Sequence, residues 1–165
     1  LGMNAPAVGF MFTLLMLGSI IGPLLGGRLV DRYDSRRVIL GGYLLAAVST
    51  IGLPWIAANP LLLPVVAFIL GVTAFGVHPI LQTLVAEVTE DRVRDIAFAL
   101  FYTATFLAGA VWSPAVGYLS DSFGLEMSFR AMAASFVAAS FCMLFARFGT
   151  TSVAPVEEIT PLSRG

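Results

Sequence analysis

The sequence predicts an all-α, polytopic bundle of five membrane-spanning helices, and three observations carry that fold class. Hydrophobic residues make up 58% of the 165 and charged residues only 12%, about half the charged share of an ordinary soluble domain. So few charges cannot cover a water-facing surface. The apolar residues also fall into continuous runs of about 20, the length that crosses a ~30 Å hydrocarbon core at 1.5 Å per residue. Finally, the 9 cations, all of them arginine, gather between these runs or at their ends. A transmembrane β-barrel would instead show segments of about 10 residues with alternating polarity. The helix is left as the element that satisfies every backbone group inside lipid.

Taken in order, the candidate spans are residues 8–30, 38–58, 62–85, 96–119 and 128–148. Asp34-Ser35 separates the first from the second, and Asn59-Pro60 reads as a tight turn before the third. A charged loop from Glu87 to Asp95 precedes the fourth span, and Asp121-Ser122-Phe123-Gly124 closes it. These connectors carry the residues that stop helices and make turns. Residues 1–148 thus form the bundle, and 149–165, polar and broken by Pro155 and Pro161, read as a short disordered tail.

Arginine placement sets the orientation. Arg28, Arg32, Arg36 and Arg37 flank the first connector, Arg92 and Arg94 lie in the third, and Arg147 and Arg164 follow the last span. With five alternating helices these share one side and Arg130 alone takes the other. The positive-inside rule puts the first side, with the C-terminal tail, in the cytoplasm of a cell-membrane protein. The N-terminus then starts outside, with no recognisable signal peptide and with Leu1 in place of methionine. An odd number of helices starting outside predicts a chain truncated upstream. The net charge of −1 offers no basic surface for nucleic acid, and neither a metal-ligand cluster nor a nucleotide loop is present, so neither metal nor cofactor is expected. Cys142 is the sole cysteine, which excludes an intrachain disulfide; lying in an apolar run, it reads as a buried thiol.

The stretch Gly26-Gly27-Arg28-Leu29-Val30-Asp31-Arg32-Tyr33-Asp34-Ser35-Arg36-Arg37 resembles the loop motif of the major facilitator superfamily. That motif is a glycine, three residues, Asp-Arg, then a glycine and a basic cluster. Gly27, Asp31, Arg32 and Arg36 match it, whereas Asp34 stands at the usual glycine and Ser35 at a usual basic position. Gly117-Tyr118-Leu119-Ser120-Asp121-Ser122-Phe123-Gly124 is similar to the end of the eleventh helix in that family. The resemblance implies that the five spans correspond to helices 8 to 12 of a twelve-helix transporter, with residues 1–7 at the end of helix 7 or its outer loop. It also implies that Gly27, Asp31, Arg32 and Arg36 belong to a cytoplasmic gate that breaks during transport. Read from the residues alone, Gly26 and Gly27 admit another helix closely. Asp31 suits the positive end of a neighbouring helix, and the arginines suit Asp31 or lipid phosphates. The plainer alternative is that these charges only mark topology.

Inside the bilayer His78 is the one titratable residue well within a span, followed by Pro79. Intramembrane ionisable groups are expensive and point to function, and histidine titrates near neutral pH, which suits proton coupling. A structural hydrogen bond, with the carbonyl that Pro79 leaves unpaired nearby, is the alternative. Gly71, Phe75, His78 and Gln82 recur at helical spacing and make one face of the third span less apolar; by the family resemblance this helix lines the central cavity. Tyr102, Thr105 or Phe106, Gly109, and Trp112 or Ser113 form a comparable stripe on the fourth. Aromatics beside hydroxyls make a cavity wall, unless Gly109 serves helix packing and the hydroxyls bond their own backbone. Pro23 and Pro114 either kink helices that rock or are tolerated irregularities. The second and fifth spans lack polar stripes and are expected at the periphery.

Three functions compete. In the first, the chain is part of a secondary transporter, facilitative or ion-coupled, completed by N-terminal helices of the same polypeptide and moving a small neutral or amphipathic solute by alternating access. In the second, it is an intramembrane enzyme; Ser19 and Ser113 have only His78 as a base and no nucleophile motif, so enzymatic activity is not expected. In the third, it is a non-catalytic membrane module that assembles with a separate partner chain. An open reading frame continuing upstream of Leu1 separates the first from the third.

Overall fold

The computed structural model describes residues 5–56 and 59–145. They form five helices: α1 (Ala5–Val30), α2 (Ser35–Ile56), α3 (Leu62–Val88), α4 (Arg94–Phe123) and α5 (Leu125–Phe145). A single 3-10 turn, Asp91–Val93, leads into α4. All five helices are long and apolar enough to cross a membrane, and the described residues contain no strand. The fold is all-α and multi-pass. Residues 57–58, the end of the last span at 146–148, the tail 149–165, and with them Arg147 and Arg164, lie outside the described residues.

The helices outrun the hydrophobic spans because hydropathy marks where lipid ends, whereas the helix ends where a residue stops it. Most of the expected charged loop is helical: α3 continues through Glu87 to Val88 and α4 has begun by Arg94. At the other end α4 runs through Asp121 to Phe123, so the four-residue closing segment reduces to Gly124. Among the described residues Gly124 alone adopts positive φ, at 86°, a backbone conformation that costs glycine little. Its amide donates to the Ser120 carbonyl at 3.0 Å, and its carbonyl accepts from Met127 N at 3.2 Å, ending one helix and starting the next.

Two other turns are closed by side chains. Asp34 Oδ1 accepts from the Arg36 amide at 3.1 Å while the Asp34 carbonyl accepts from Arg37 and Val38. An acidic cap at the positive end of α2 is the favourable arrangement, and it explains aspartate at this position. Asn59 Oδ1 accepts from the amides of Leu61 and Leu62 at 3.0 and 3.2 Å and starts α3 in the same way.

In space the helices follow the order α1, α3, α2, α5, α4, each packed on the next, with α3 and α4 meeting over a short stretch and α1 and α4 not touching. The result is a crescent open between α1 and α4. Its tightest seam joins α1 to α3, glycine against glycine. A methyl group on Gly76 would lie 2.9 Å from the Gly22 carbonyl oxygen, and one on Gly26 would lie 2.9 Å from the Gly76 carbonyl oxygen. Lipid tails are as apolar as leucine, so helices in a bilayer associate by close packing rather than by hydrophobicity, and small residues permit the approach.

Among the described helices α2 lies between α3 and α5, yet Leu44, Leu45, Val48, Ile51 and Trp55 stay exposed on it. Ala46, Ala47, Ser49 and Thr50 are buried between α3 and α5, and the Thr50 hydroxyl donates to the Ala46 carbonyl at 2.8 Å. Small side chains pack here without forming a polar stripe. Ile39, Val77, Ile80 and Met143 join α2, α3 and α5 in one apolar cluster. Cys142 is exposed on α5, not buried; an apolar run in a membrane helix is satisfied by lipid as well as by protein.

Candidate functional site

α3 and α4 meet over a short stretch beside the opening of the crescent. Gly71 and Gly76 turn one side of α3 toward α1, and His78 meets α4, its ring stacked on Phe101 with centroids 5.8 Å apart and planes at 27°. Phe75 lies between these two contacts and is 47% exposed. His78 and Gln82 are half-buried, and neither side chain makes a hydrogen bond to the described residues. Structural bonding of His78 is therefore supplied by an aromatic face and not by a hydrogen bond, which leaves both imidazole nitrogens available.

On α4, Phe101, Thr105 and Trp112 recur at helical spacing, so the face that meets His78 continues through Thr105 and Trp112 away from the contact. Tyr102 packs edge-on against Phe101 at 5.6 Å and near Phe98 at 6.2 Å. The two sequence stripes thus converge at one aromatic cluster and then part. Thr105 donates its hydroxyl to the Phe101 carbonyl at 2.8 Å, retaining lone pairs for another donor. Gly109 has open space around it, so no described helix packs there. Tyr102 and Trp112 are 41% and 42% exposed, and α4 has no buried residue along its 30 residues.

His78 is ten residues from the end of α3, roughly 15 Å along a helix at 1.5 Å per residue. The aromatic contact therefore lies well inside the span, away from the arginine-bearing end of α3. Phe101 lies outside the stripe that begins at Tyr102; its position four residues before Thr105 is the sequence signal that marks it.

The motif loop is divided by the structure. Asp31 and Arg32 are exposed in the turn that follows α1, where the Asp31 amide donates to the Gly27 carbonyl at 3.1 Å. Neither belongs to an ion pair among the described residues, where the pairs are Arg94–Asp91 and Arg130–Glu126, both at 2.6 Å. Asp31 occupies the negative end of its own helix, an unfavourable place for a carboxylate that has no partner. Arg36 turns elsewhere: its Nε donates to the Met143 carbonyl at 3.1 Å and its Nη2 to the Leu144 carbonyl, capping the end of α5. Gly26 packs against α3, whereas Gly27 faces open space. The candidate nucleophiles do not meet a base. Ser19 donates to the Met16 carbonyl at 2.7 Å, and no hydrogen bond joins it or Ser113 to His78.

A family model described as Major Facilitator Superfamily matches residues 1–163. Among curated relatives, the chain is 28% identical over 137 residues to the "Probable galactarate/D-glucarate transporter GudP" of Bacillus subtilis (strain 168), covering 80% of this chain and 30% of the relative. It is 32% identical over 127 residues to the "Uncharacterized MFS-type transporter YfnC" of the same organism, covering 77% and 30%. It is 29% identical over 172 aligned residues to the human "Solute carrier family 2, facilitated glucose transporter member 10", covering 99% and 30%. The chain thus spans less than a third of the length of these relatives. No solved structure gives a significant match.

Proposed function

The chain belongs to the major facilitator superfamily, and on that premise we infer that it forms most of one bundle of a secondary transporter moving a small, neutral, hydroxyl-bearing solute by alternating access. The observation that carries this reading is the junction of His78, Phe101 and Tyr102, where α3 meets α4 through an aromatic cluster with the His78 side chain free of hydrogen bonds to the described residues; we take the facing sides of α3 and α4 as the walls of a solute cleft. In it, Gln82, Thr105 and the His78 nitrogens serve solute hydroxyls, and the faces of Phe75, Tyr102 and Trp112 serve its apolar side. The cleft walls on α3 and α4 carry no arginine and no carboxylate between Leu62 and Ala86 or between Ile96 and Ser120, which favours a neutral solute over an ionic one. The relatives named for sugar acids favour a second reading, a dianion whose countercharges come from helices outside this chain.

In the proposed mechanism α4, which touches α5 and briefly α3 but has no buried residue, packs its remaining faces against helices outside these residues, which close the opening between α1 and α4. Such helices come from the same polypeptide. The arginine-bearing end faces the cytoplasm of the cell membrane, with the C-terminal tail on that side, in keeping with the positive-inside rule. There Asp31, with Gly27 and Arg32 beside it, latches onto the positive N-terminal end of a facing helix, and transport breaks the latch. Arg36 is the fixed part of that loop, holding it to α5.

Uptake into proteoliposomes of the native-length protein tests the assignment, with radiolabelled glucose and D-glucarate as probes. Saturable uptake of glucose, competed by other neutral sugars, is the expected result. Uptake of D-glucarate alone moves the assignment to the sugar-acid reading, and uptake of neither sinks both.

A further inference from the structure

A concavity lies between α1 and α2 with α3 as its floor, away from the proposed solute path. Its volume is about 520 Å³, and its walls include Gly22, Gly26, Gly41, Gly42 and Gly76, with Tyr33 and Arg37 at the mouth. The glycines create it: where α1 and α3 approach backbone to backbone, α2 cannot follow, and α1 and α2 contact each other only slightly. Thr73 is the one polar side chain below the mouth, and its hydroxyl is already donated to the Ile69 carbonyl at 2.9 Å. Nothing in the interior is left to orient a hydroxylated solute. All the unspent polarity is at one end.

We propose that this groove is a binding site for one anionic phospholipid, with an acyl chain lying along the glycine floor and the phosphate held by Arg37 and Tyr33. The dimensions agree. From Arg37 to Leu45 the wall runs eight residues, about 12 Å of helix, most of the ~15 Å that one leaflet contributes to a ~30 Å hydrocarbon core. The groove starts at the membrane surface and runs inward, as a lipid does. Arg37 is exposed and belongs to no ion pair among the described residues, whereas its neighbour Arg36 is committed to the end of α5. A guanidinium engages phosphate through paired N–H donors. Four arginines against two aspartates between Arg28 and Arg37 give the mouth a positive excess that prefers an anionic headgroup to a zwitterionic one.

The test measures lipid retained by the native-length protein after reconstitution in vesicles of equal phosphatidylglycerol and phosphatidylcholine, then re-extraction and mass spectrometry. Retention of about one phosphatidylglycerol per chain is expected. Arg37→Gln lowers its affinity about fivefold, the effect of losing one arginine near a charged headgroup. Arg32→Gln, which removes equal charge outside the groove, changes it less than twofold. Gly41→Leu fills the groove from α2, where a side chain meets nothing within 4 Å, and displaces both headgroups. Equal losses in Arg32→Gln and Arg37→Gln overturn the proposal in favour of diffuse surface charge. Unchanged retention in Gly41→Leu overturns it as well, and so does the absence of any retained lipid, the result expected if another helix of the protein fills the groove.

Discussion

An imidazole inside a bilayer is costly unless something meets it, and in this chain Phe101 covers one face of the His78 ring while the nitrogens stay unpaired among the described residues. That combination separates packing from chemistry. His78→Phe preserves an aromatic stack on Phe101, so the protein is expected to insert and fold normally. The loss of hydrogen bonding to solute should lower kcat/KM for uptake about tenfold, the cost of one unpaired contact of ~1.4 kcal/mol. Wild-type uptake by His78→Phe would reduce His78 to a packing residue. At the loop, Asp31→Asn is expected to slow transport severalfold with unchanged amounts of protein in the membrane, because it weakens the latch and leaves the fold alone. Transport at the normal rate in that variant removes Asp31 from the gate. His78 and Gln82 stand out in the sequence because polarity inside an apolar run has contrast, and Phe75 is marked only by its helical spacing from them. Phe101 does not stand out, since a phenylalanine in such a run has no contrast with its neighbours.

Among the elements, the seam of α1 with α3 and the clip between the first loop and α5 do the most to hold the crescent. Neither follows from hydropathy. Gly18, Gly22 and Gly26 recur every four residues on α1, a spacing that marks close helix crossings, but the partner glycines on α3 are fixed only by the fold. Gly22→Leu forces α1 from α3 and is expected to cost about 2 kcal/mol or more, as overpacking does. Unfolding of the reconstituted protein in a denaturing detergent series measures it; a stability equal to wild type would contradict the seam. Arg36→Gln removes the donors to the Met143 and Leu144 carbonyls and is expected to destabilise the last turn of α5 by about 1 kcal/mol. Hydrogen exchange at that turn should quicken about fivefold, with the middle of α5 unaffected. The motif pattern pointed to Arg36 as a gate residue, because a sequence shows the spacing of a basic cluster and not the direction of each side chain.

Over the whole molecule, the count of five membrane helices followed from run length alone, and so did the all-α class. The packing order α1, α3, α2, α5, α4 did not, because neighbours in lipid are selected by shape rather than by polarity. α4 is apolar and, although α5 and α3 touch it, has no buried residue among those described, which leaves most of its surface for other helices. The native gene product, tagged after Gly165, is therefore expected in membranes at more than twice 17.5 kDa; a band near that mass would point to a separate partner chain. The central claim is that α3 and α4 line a water-filled solute path, and aqueous thiol labelling tests it most directly. In the native-length protein with Cys142→Ala, single cysteines at Gln82 and Thr105 should react with a charged, membrane-impermeant methanethiosulfonate and be protected by the transported solute. A cysteine at Val137, exposed on α5, should stay unreactive in lipid. Silence at both cleft positions, or reactivity equal to that at Val137, would contradict the path described here.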